Sequence, residues 1–303
     1  MDYKDKYLKY KTKYTKLKFK IQNGGIQSIP KIGLGTWQAH PDNTKIKENI
    51  IKALEIGYRC FDCANNYNNE IGIGEAFQYA FEHMGISRED LYIIGKANRS
   101  DDIENSLANL KIEYFDLALI HLKFMVPDNR WEDFIKLKND GKTKNIGLSN
   151  IYINKLKEFN SWCVSNNYEK PLFIEDEINV LNPEQELVDY CNDNCIGIIA
   201  YTPLVQISTT IELFNDNQTL NKIKNKYNIT LPQLFLLWAI RRNITVIPGS
   251  SSDTHMYENF KVLEYIDNLD IITTEEVSEI SGCVGSNYPS IETAQDAKLH
   301  DYK

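Results

Sequence analysis

The stretch LYIIGKANRSDDIENSLANLKIEYFDLALIHL, residues 91–122, decides the fold. LYIIGK is a short apolar run of strand type, DIENSLANLK reads as an amphipathic helix, and FDLALIHL is apolar again. Two buried strands joined through a helix must run parallel, with the helix packed on the sheet.

The same rhythm continues on both sides. Upstream lie strand-like KIGLGTW (31–37), helical TKIKENIIKALEIG (44–57), strand RCFDC (59–63) and helical NEIGIGEAFQYAFEHMG (69–85). Downstream come helical WEDFIKLKNDG (131–141), strand NIGLSN (145–150), helical YINKLKEFNSWCVSNN (152–167), strand LFIEDEIN (172–179) and helical PEQELVDYCNDN (183–194). Strand IGIIAY (196–201), a helical region around LPQLFLLWAIRR (231–242), strand ITVIPG (244–249) and helical SDTHMYENFKVLEYI (252–266) complete the series. Eight strand-helix units are the number that closes a (β/α)8 TIM barrel, an α/β fold. The alternative is a doubly wound open sheet. GIGEAF (72–77) is no dinucleotide fingerprint for it, because its glycines lie inside a helical pattern with no strand and turn before them.

The ends of the chain differ from this body. Tyr3, Tyr7, Tyr10, Tyr14 and Leu17 recur at steps of four and three among lysines, predicting a basic helical extension over residues 1–18. FKIQNGGIQSIP (19–30) places apolar alternation on either side of Asn23-Gly24 and predicts a β-hairpin leading into the barrel, which is expected over 19–281. Residues 282–303 lack periodicity and read as a C-terminal tail. Lys/Tyr-rich leads of this kind resemble those of proteins from large DNA viruses.

Charge and cysteine use bound the setting. The net charge is −8, yet residues 1–20 hold eight lysines against Asp2 and Asp5, so the rest carries −14, which is −8 less +6. An acidic body repels phosphate backbones, and no nucleic-acid partner is expected. The longest nearly apolar run, residues 231–240, is about half of the ~20 residues a membrane span needs, so no span is expected either. Six scattered cysteines and no apolar signal core point to the cytoplasm, or the host cytoplasm if the chain is viral. A monomer is expected.

In a (β/α)8 barrel the site is assembled at the C-terminal ends of the strands. Strand two ends at Asp62 with Tyr67 in the loop, strand three at Lys96, strand four at His121, and strand five at Ser149 and Asn150. Strand six ends near Glu175 and Glu177, and strand seven at Tyr201. Each of these has a structural reading when taken alone: a capping aspartate, a packing tyrosine, a surface lysine, a core histidine. Cys60 and Cys63, in a C-x-x-C, would point to opposite faces of a strand and are read as unpaired thiols, so no metal site is expected.

IPKIGLGTW, GYRCFDCANNYNNE, DLALIHL, IGLSN, AYTPL and VIPGSS occur in order across nearly the whole chain, and together they resemble the aldo-keto reductase family. The resemblance implies a catalytic tetrad of Asp62, Tyr67, Lys96 and His121 that reduces a small-molecule aldehyde or ketone by hydride transfer from NAD(P)H. A tyrosine suits the acid role because its proton is still in place at neutral pH. An ammonium beside it favours the phenolate, and a carboxylate keeps that ammonium charged. The resemblance further implies Ser149 and Asn150 on the nicotinamide carboxamide, with Tyr201 stacked on its ring. Gly35, Thr36 and Trp37 follow strand one in the same cofactor-binding pattern.

Two segments depart from the family. Glu175 stands where a glutamine is usual, and a carboxylate accepts hydrogen bonds without donating them. In IPGSSSDTHMYEN (247–259) Ser250, Glu258 and Asn259 match the adenosine-phosphate segment, but Gly249 and His255 replace its lysine and arginine. The resemblance implies NADP(H), and the loss of both cations admits NAD(H). These departures also define the alternative, an inactive barrel serving as a binding or regulatory module.

Overall fold

A computed structural model describes residues 29–39, 42–121, 130–205, 214–266 and 271–284. The basic extension, the hairpin around Asn23-Gly24 and the tail beyond Val284 lie outside the described residues. Eight strands follow one another in the sheet in sequence order: β1 (Leu34–Gly35), β2 (Cys60–Asp62), β3 (Tyr92–Ala97), β4 (Leu117–Ile120), β5 (Ile146–Ser149), β6 (Phe173–Glu177), β7 (Gly197–Tyr201) and β8 (Ile244–Ile247). Every neighbouring pair is parallel. Parallel bridges from Ile32 to Val246 and from Gly35 to Gly249 join the first strand to the last. The structure is the (β/α)8 barrel read from the sequence.

Helices separate the strands: α1 (Asn43–Ile56), α2 (Glu70–His83), α3 (Ser100–Leu110), α4 (Arg130–Asn139), α5 (Ile153–Ser165) and α6 (Gln185–Asp193). They continue with α7 (Gln218–Tyr227), α8 (Leu231–Arg241), α9 (Asp253–Phe260) and α10 (Thr274–Val284). Local chemistry sets their limits. Asp42 caps α1 by accepting from the backbone N–H of Thr44 at 2.8 Å, and Gly57, at φ 124°, ends it. Thr230 and Gln233 form a reciprocal capping box on α8, whose apolar run is buried on almost every side.

Two helices were not read in the sequence. The first, α7, is largely polar, with only Leu220 and Ile223 buried. The second, α10, starts at a capping pair in which Thr273 N–H donates to Glu276 at 2.9 Å and Glu276 N–H returns to Thr273 Oγ1 at 3.3 Å. It carries regular structure to Val284, past the expected start of the tail at 282.

The alternation of strand residues splits the core in two. Ile94, Leu117, Leu119, Phe173, Ile199 and Ile247 fill the barrel with Cys60 and Tyr92. Their strand neighbours Phe61, Ile93, Ala118, Ile120, Ile174, Ile198 and Val246 face out and pack with the helices. Cys60 and Cys63 fall in different clusters, both buried and free, as expected of residues three apart on a strand. A Cβ at Gly197 would sit 2.3 Å from the Phe173 ring, so the absence of a side chain there makes room for that aromatic group in the barrel. Among the described residues no helix is long and apolar enough to cross a membrane.

Candidate active site

The inward series does not stop at the apolar layers. One step beyond Cys60 comes Asp62, beyond Ile94 comes Lys96, beyond Leu119 comes His121, beyond Phe173 comes Glu175, and beyond Ile199 comes Tyr201. A period of two therefore lifts these polar side chains onto the C-terminal mouth of the barrel. Asp62, Lys96, His121, Ser149 and Glu175 are all buried.

Lys96 is the hub. Its ammonium contacts Asp62 and donates to Glu175 Oε1 at 2.8 Å. It also lies 5.3 Å from the centroid of the Tyr67 ring. Burial works against this charge, but the two carboxylates, with Tyr67, more than offset it and hold the ammonium well above its ordinary range. Asp62 is raised by burial, against the opposing charge and hydrogen bond of Lys96. Glu175 is pushed up to about 8, first by burial and then by the charge of Asp62.

Tyr67 ends a short 3-10 turn, Asn65–Tyr67, and the asparagines around it have structural work. Asn68 takes the left-handed conformation at φ 56°, which asparagine tolerates better than most residues. Asn69 is buried and donates to the Thr36 carbonyl at 2.8 Å, tying this loop to the end of β1. The phenol lies well above its ordinary pKa. Burial is the main cause, Lys96 opposes it, and Asp62 and Glu175 add to the rise. The expected pull of the ammonium toward phenolate is present but outweighed, chiefly by burial, with the two carboxylates adding to the rise.

His121 meets Tyr67 edge to face, with ring centroids 5.9 Å apart, and its Nδ1 has no hydrogen-bond partner among the described residues. Burial, then the charge of Lys96, lowers its pKa to about 3, so the ring is neutral at physiological pH. A phenol that keeps its proton and a neutral imidazole thus share one wall.

Ser149, Asn150, Glu175 and Tyr201 form the opposite wall. Tyr201 donates to Asn150 Oδ1 at 2.6 Å, and Asn150 Nδ2 donates to the His121 carbonyl at 2.9 Å and to Ser149 Oγ at 3.1 Å. Asn150 N–H donates to the Glu175 carbonyl at 2.8 Å, and Ser149 pairs with Glu175 in the sheet. Asn179 closes a turn by accepting from the N–H groups of Leu181 and Asn182, both at 3.0 Å.

The remaining residues lie farther along the rim. Thr36 is buried and donates to the Asp62 carbonyl at 2.8 Å, whereas Trp37 is 55% exposed. Gly35 sits at the barrel seam, where a Cβ would be 2.8 Å from the Ile247 carbonyl, so strand closure alone demands glycine there. Beyond β8, Ser252 caps α9 through the N–H of His255, and His255 and Gly249 are exposed. Ser250 caps locally onto Ser252 N–H at 3.1 Å, the Glu258 carbonyl accepts from Gln233, and Asn259 is buried. Sequence reading missed one cation near this segment, Lys52 on α1, which lies 3.2 Å from Glu55 and 3.8 Å from Asp253. The signal for it is non-local, since α1 reaches this segment only when the barrel closes. Among the described residues no group of three or more metal-ligating side chains occurs.

A model of the Aldo/keto reductase family matches residues 31–284. The chain is 31% identical to an NADP-dependent D-sorbitol-6-phosphate dehydrogenase of Malus domestica, over 78% of this chain and 86% of that protein. It is 30% identical to a glyoxal reductase of Bacillus subtilis, over 85% and 93%. Among solved structures, an aldo-keto reductase complexed with NADPH superposes with a TM-score of 0.75 at 26% identity, covering 88% of this chain and 87% of the other. An aldose reductase of Schistosoma japonicum superposes with a TM-score of 0.74 at 28% identity, covering 90% and 95%.

Proposed function

The chain belongs to the aldo/keto reductase family, and from that premise we propose that it reduces an aldehyde or ketone to the alcohol, with Tyr67 as the general acid. The observation that carries this reading is the Asp62–Lys96 contact beside Tyr67 and His121, four residues from three strand ends and one loop meeting at one mouth.

The residues present fit a nicotinamide at one end of the site. Ser149, Asn150 and Tyr201 offer a hydroxyl, an amide and a ring on one wall, and the unpartnered His121 Nδ1 leaves a polar atom for a bound carbonyl compound. A nicotinamide held there supplies the hydride. Tyr67 delivers its proton to the substrate oxygen as negative charge develops on it. His121, neutral, hydrogen-bonds the same oxygen and orients it. Lys96 stays charged between its carboxylates and stabilises the phenolate that Tyr67 becomes, while Asp62 fixes the ammonium. Gly35, Thr36 and Trp37 shape the rim beside this pocket. Ser250, His255, Glu258 and Asn259 are the residues that would meet the adenosine end, with NADP(H) favoured by kinship and NAD(H) by the missing cations.

The inactive-module reading draws on one observation, the closure of Lys96 by a second carboxylate. A titration with NADPH and NADH, followed by nicotinamide fluorescence, separates the two. Binding of one cofactor, followed by its consumption with a reactive aldehyde, is the expected result. Tyr67→Phe should lower turnover by about 10²- to 10⁴-fold while leaving cofactor binding in place. Full turnover in that variant would remove Tyr67 from its role, and binding of neither cofactor at millimolar concentration would sink the reductase reading.

A further inference from the structure

Glu175 occupies the boundary between the two walls of the site. Through Oε1 it accepts from Lys96 at 2.8 Å, and through the backbone it is paired to Ser149 and bonded to Asn150. It is 1% exposed, and its Oε2 meets no donor among the described residues. A neutral amide at this position would leave one carboxylate against one ammonium. Here two carboxylates face one ammonium, so the fully ionised cluster carries a net negative charge inside a dry barrel.

We propose that Glu175 is a specificity-determining residue that, when ionised, makes this site favour the oxidised, positively charged nicotinamide over the reduced, neutral one. The inference rests on the nicotinamide reading given above and extends it to this chain's own departure from the family. The physical basis is charge bookkeeping. With a proton on Glu175, the carboxyl group hydrogen-bonds Asp62 and the cluster is neutral, so both redox forms meet the same field. Without it, one unbalanced negative charge remains next to the wall formed by Ser149, Asn150 and Tyr201. A cationic ring gains from that charge and a neutral ring does not.

The raised position of Glu175, about 8, places the change within an accessible pH range. The titratable and charged groups that face it are Cys60 and Asp62 from β2, Tyr67 from the following turn, Lys96 from β3 and, behind Lys96, His121 from β4. Its sheet partners on β5 and β7, Ser149 and Ile199, do not titrate. Burial holds the Cys60 thiol and the Tyr67 phenol protonated well above this range. Lys96 remains charged and His121 neutral through it. A change in ring-charge preference near this pH therefore comes from the Asp62–Glu175 pair, which exists as such only because a carboxylate stands at position 175.

The test measures dissociation constants of NAD⁺ and NADH against pH from about 6.5 to 9.5, for the whole protein and for Glu175→Gln. NADH affinity should stay level, while NAD⁺ affinity rises about tenfold across the transition, equivalent to ~1.4 kcal/mol. In the variant both should stay level. Infrared difference spectra of the cofactor-free protein should show a protonated carboxyl band that disappears over the same range and is missing from the variant. A constant NAD⁺ to NADH affinity ratio in the wild type, or the same slope in Glu175→Gln, would overturn the proposal while leaving the reductase reading intact. Failure of both nucleotides to bind would overturn the reductase reading and the proposal with it.

Discussion

The two ends of the site are built on opposite principles. At the mouth of β2 to β6, Asp62, Lys96 and Glu175 are buried and hold one another, while Thr36 bonds the Asp62 carbonyl and Asn69 that of Thr36. In the segment after β8, by contrast, Gly249 and His255 stand in the open, and the nearby cation Lys52 already lies between Glu55 and Asp253. The dry end cannot lose a charge without stranding its partner, whereas the wet end can lose or gain one against solvent at little cost. A change of charge is therefore costly where the barrel is closed, as at Glu175, and cheap where it is open, where recognition of the adenosine end can drift.

The sharpest way to break this contrast is to remove the hub. Lys96→Met leaves Asp62 and Glu175 facing each other without a cation, and the pair is expected to take up a proton rather than remain doubly charged. Tyr67 then loses the one positive charge that acts on it among the described residues. Turnover should fall by about 10³-fold, measured as single-turnover reduction of a reactive aldehyde, with affinity for the reduced cofactor little changed. Loss of cofactor binding of the same size would show that the two ends are not separable.

A smaller effect reads the cost of the second carboxylate through stability. The native state raises Glu175 from its ordinary value near 4.5 to about 8, so between these limits the folded protein keeps a proton that the unfolded chain has released. Stability from this group is therefore lost as pH rises through that window and is level above it. The difference in unfolding free energy between Glu175→Gln and wild type should change in favour of the variant by at most about 1.4 kcal/mol per pH unit from about pH 5 to 8. Parallel denaturation curves for the two proteins across that range would contradict it.

Legibility in the sequence follows the same division. The barrel could be counted from apolar runs because strands buried on both faces leave an unbroken signal, and Asp62, Lys96, His121 and Tyr201 could be placed because each ends such a run. Glu175 was visible as a departure from the family, but not its contact with Lys96, which spans 79 residues and exists only when β6 and β3 face each other across a closed barrel. The bond from Asn69 to Thr36 leaves no local signal, since the two are 33 residues apart. The start of α10 is a different case. Thr273 and Glu276 carry a local capping signature that periodicity alone passes over, because the helix behind it is short and mixed in character.

The smallest expected effect lies at the open end, where it also sharpens the contrast. A Cβ at Gly249 would meet the Gly35 carbonyl at 3.4 Å and nothing closer, so a lysine can be placed there with at most a shift of tenths of an ångström. His255 is exposed near the start of α9, so an arginine at that position displaces no packed neighbour. Gly249→Lys with His255→Arg adds two cations where a 2′-phosphate would be recognised, each in reach of solvent and therefore worth a modest amount. The NADPH to NADH affinity ratio should rise about tenfold, equal to ~1.4 kcal/mol, and that gain should shrink as salt is added. Turnover at saturating cofactor should not change, because no group on Lys96, Tyr67 or His121 has been touched. A change in turnover without a change in the affinity ratio would place the dependence on charge at the closed end after all, and would reverse the assignment of the two regions.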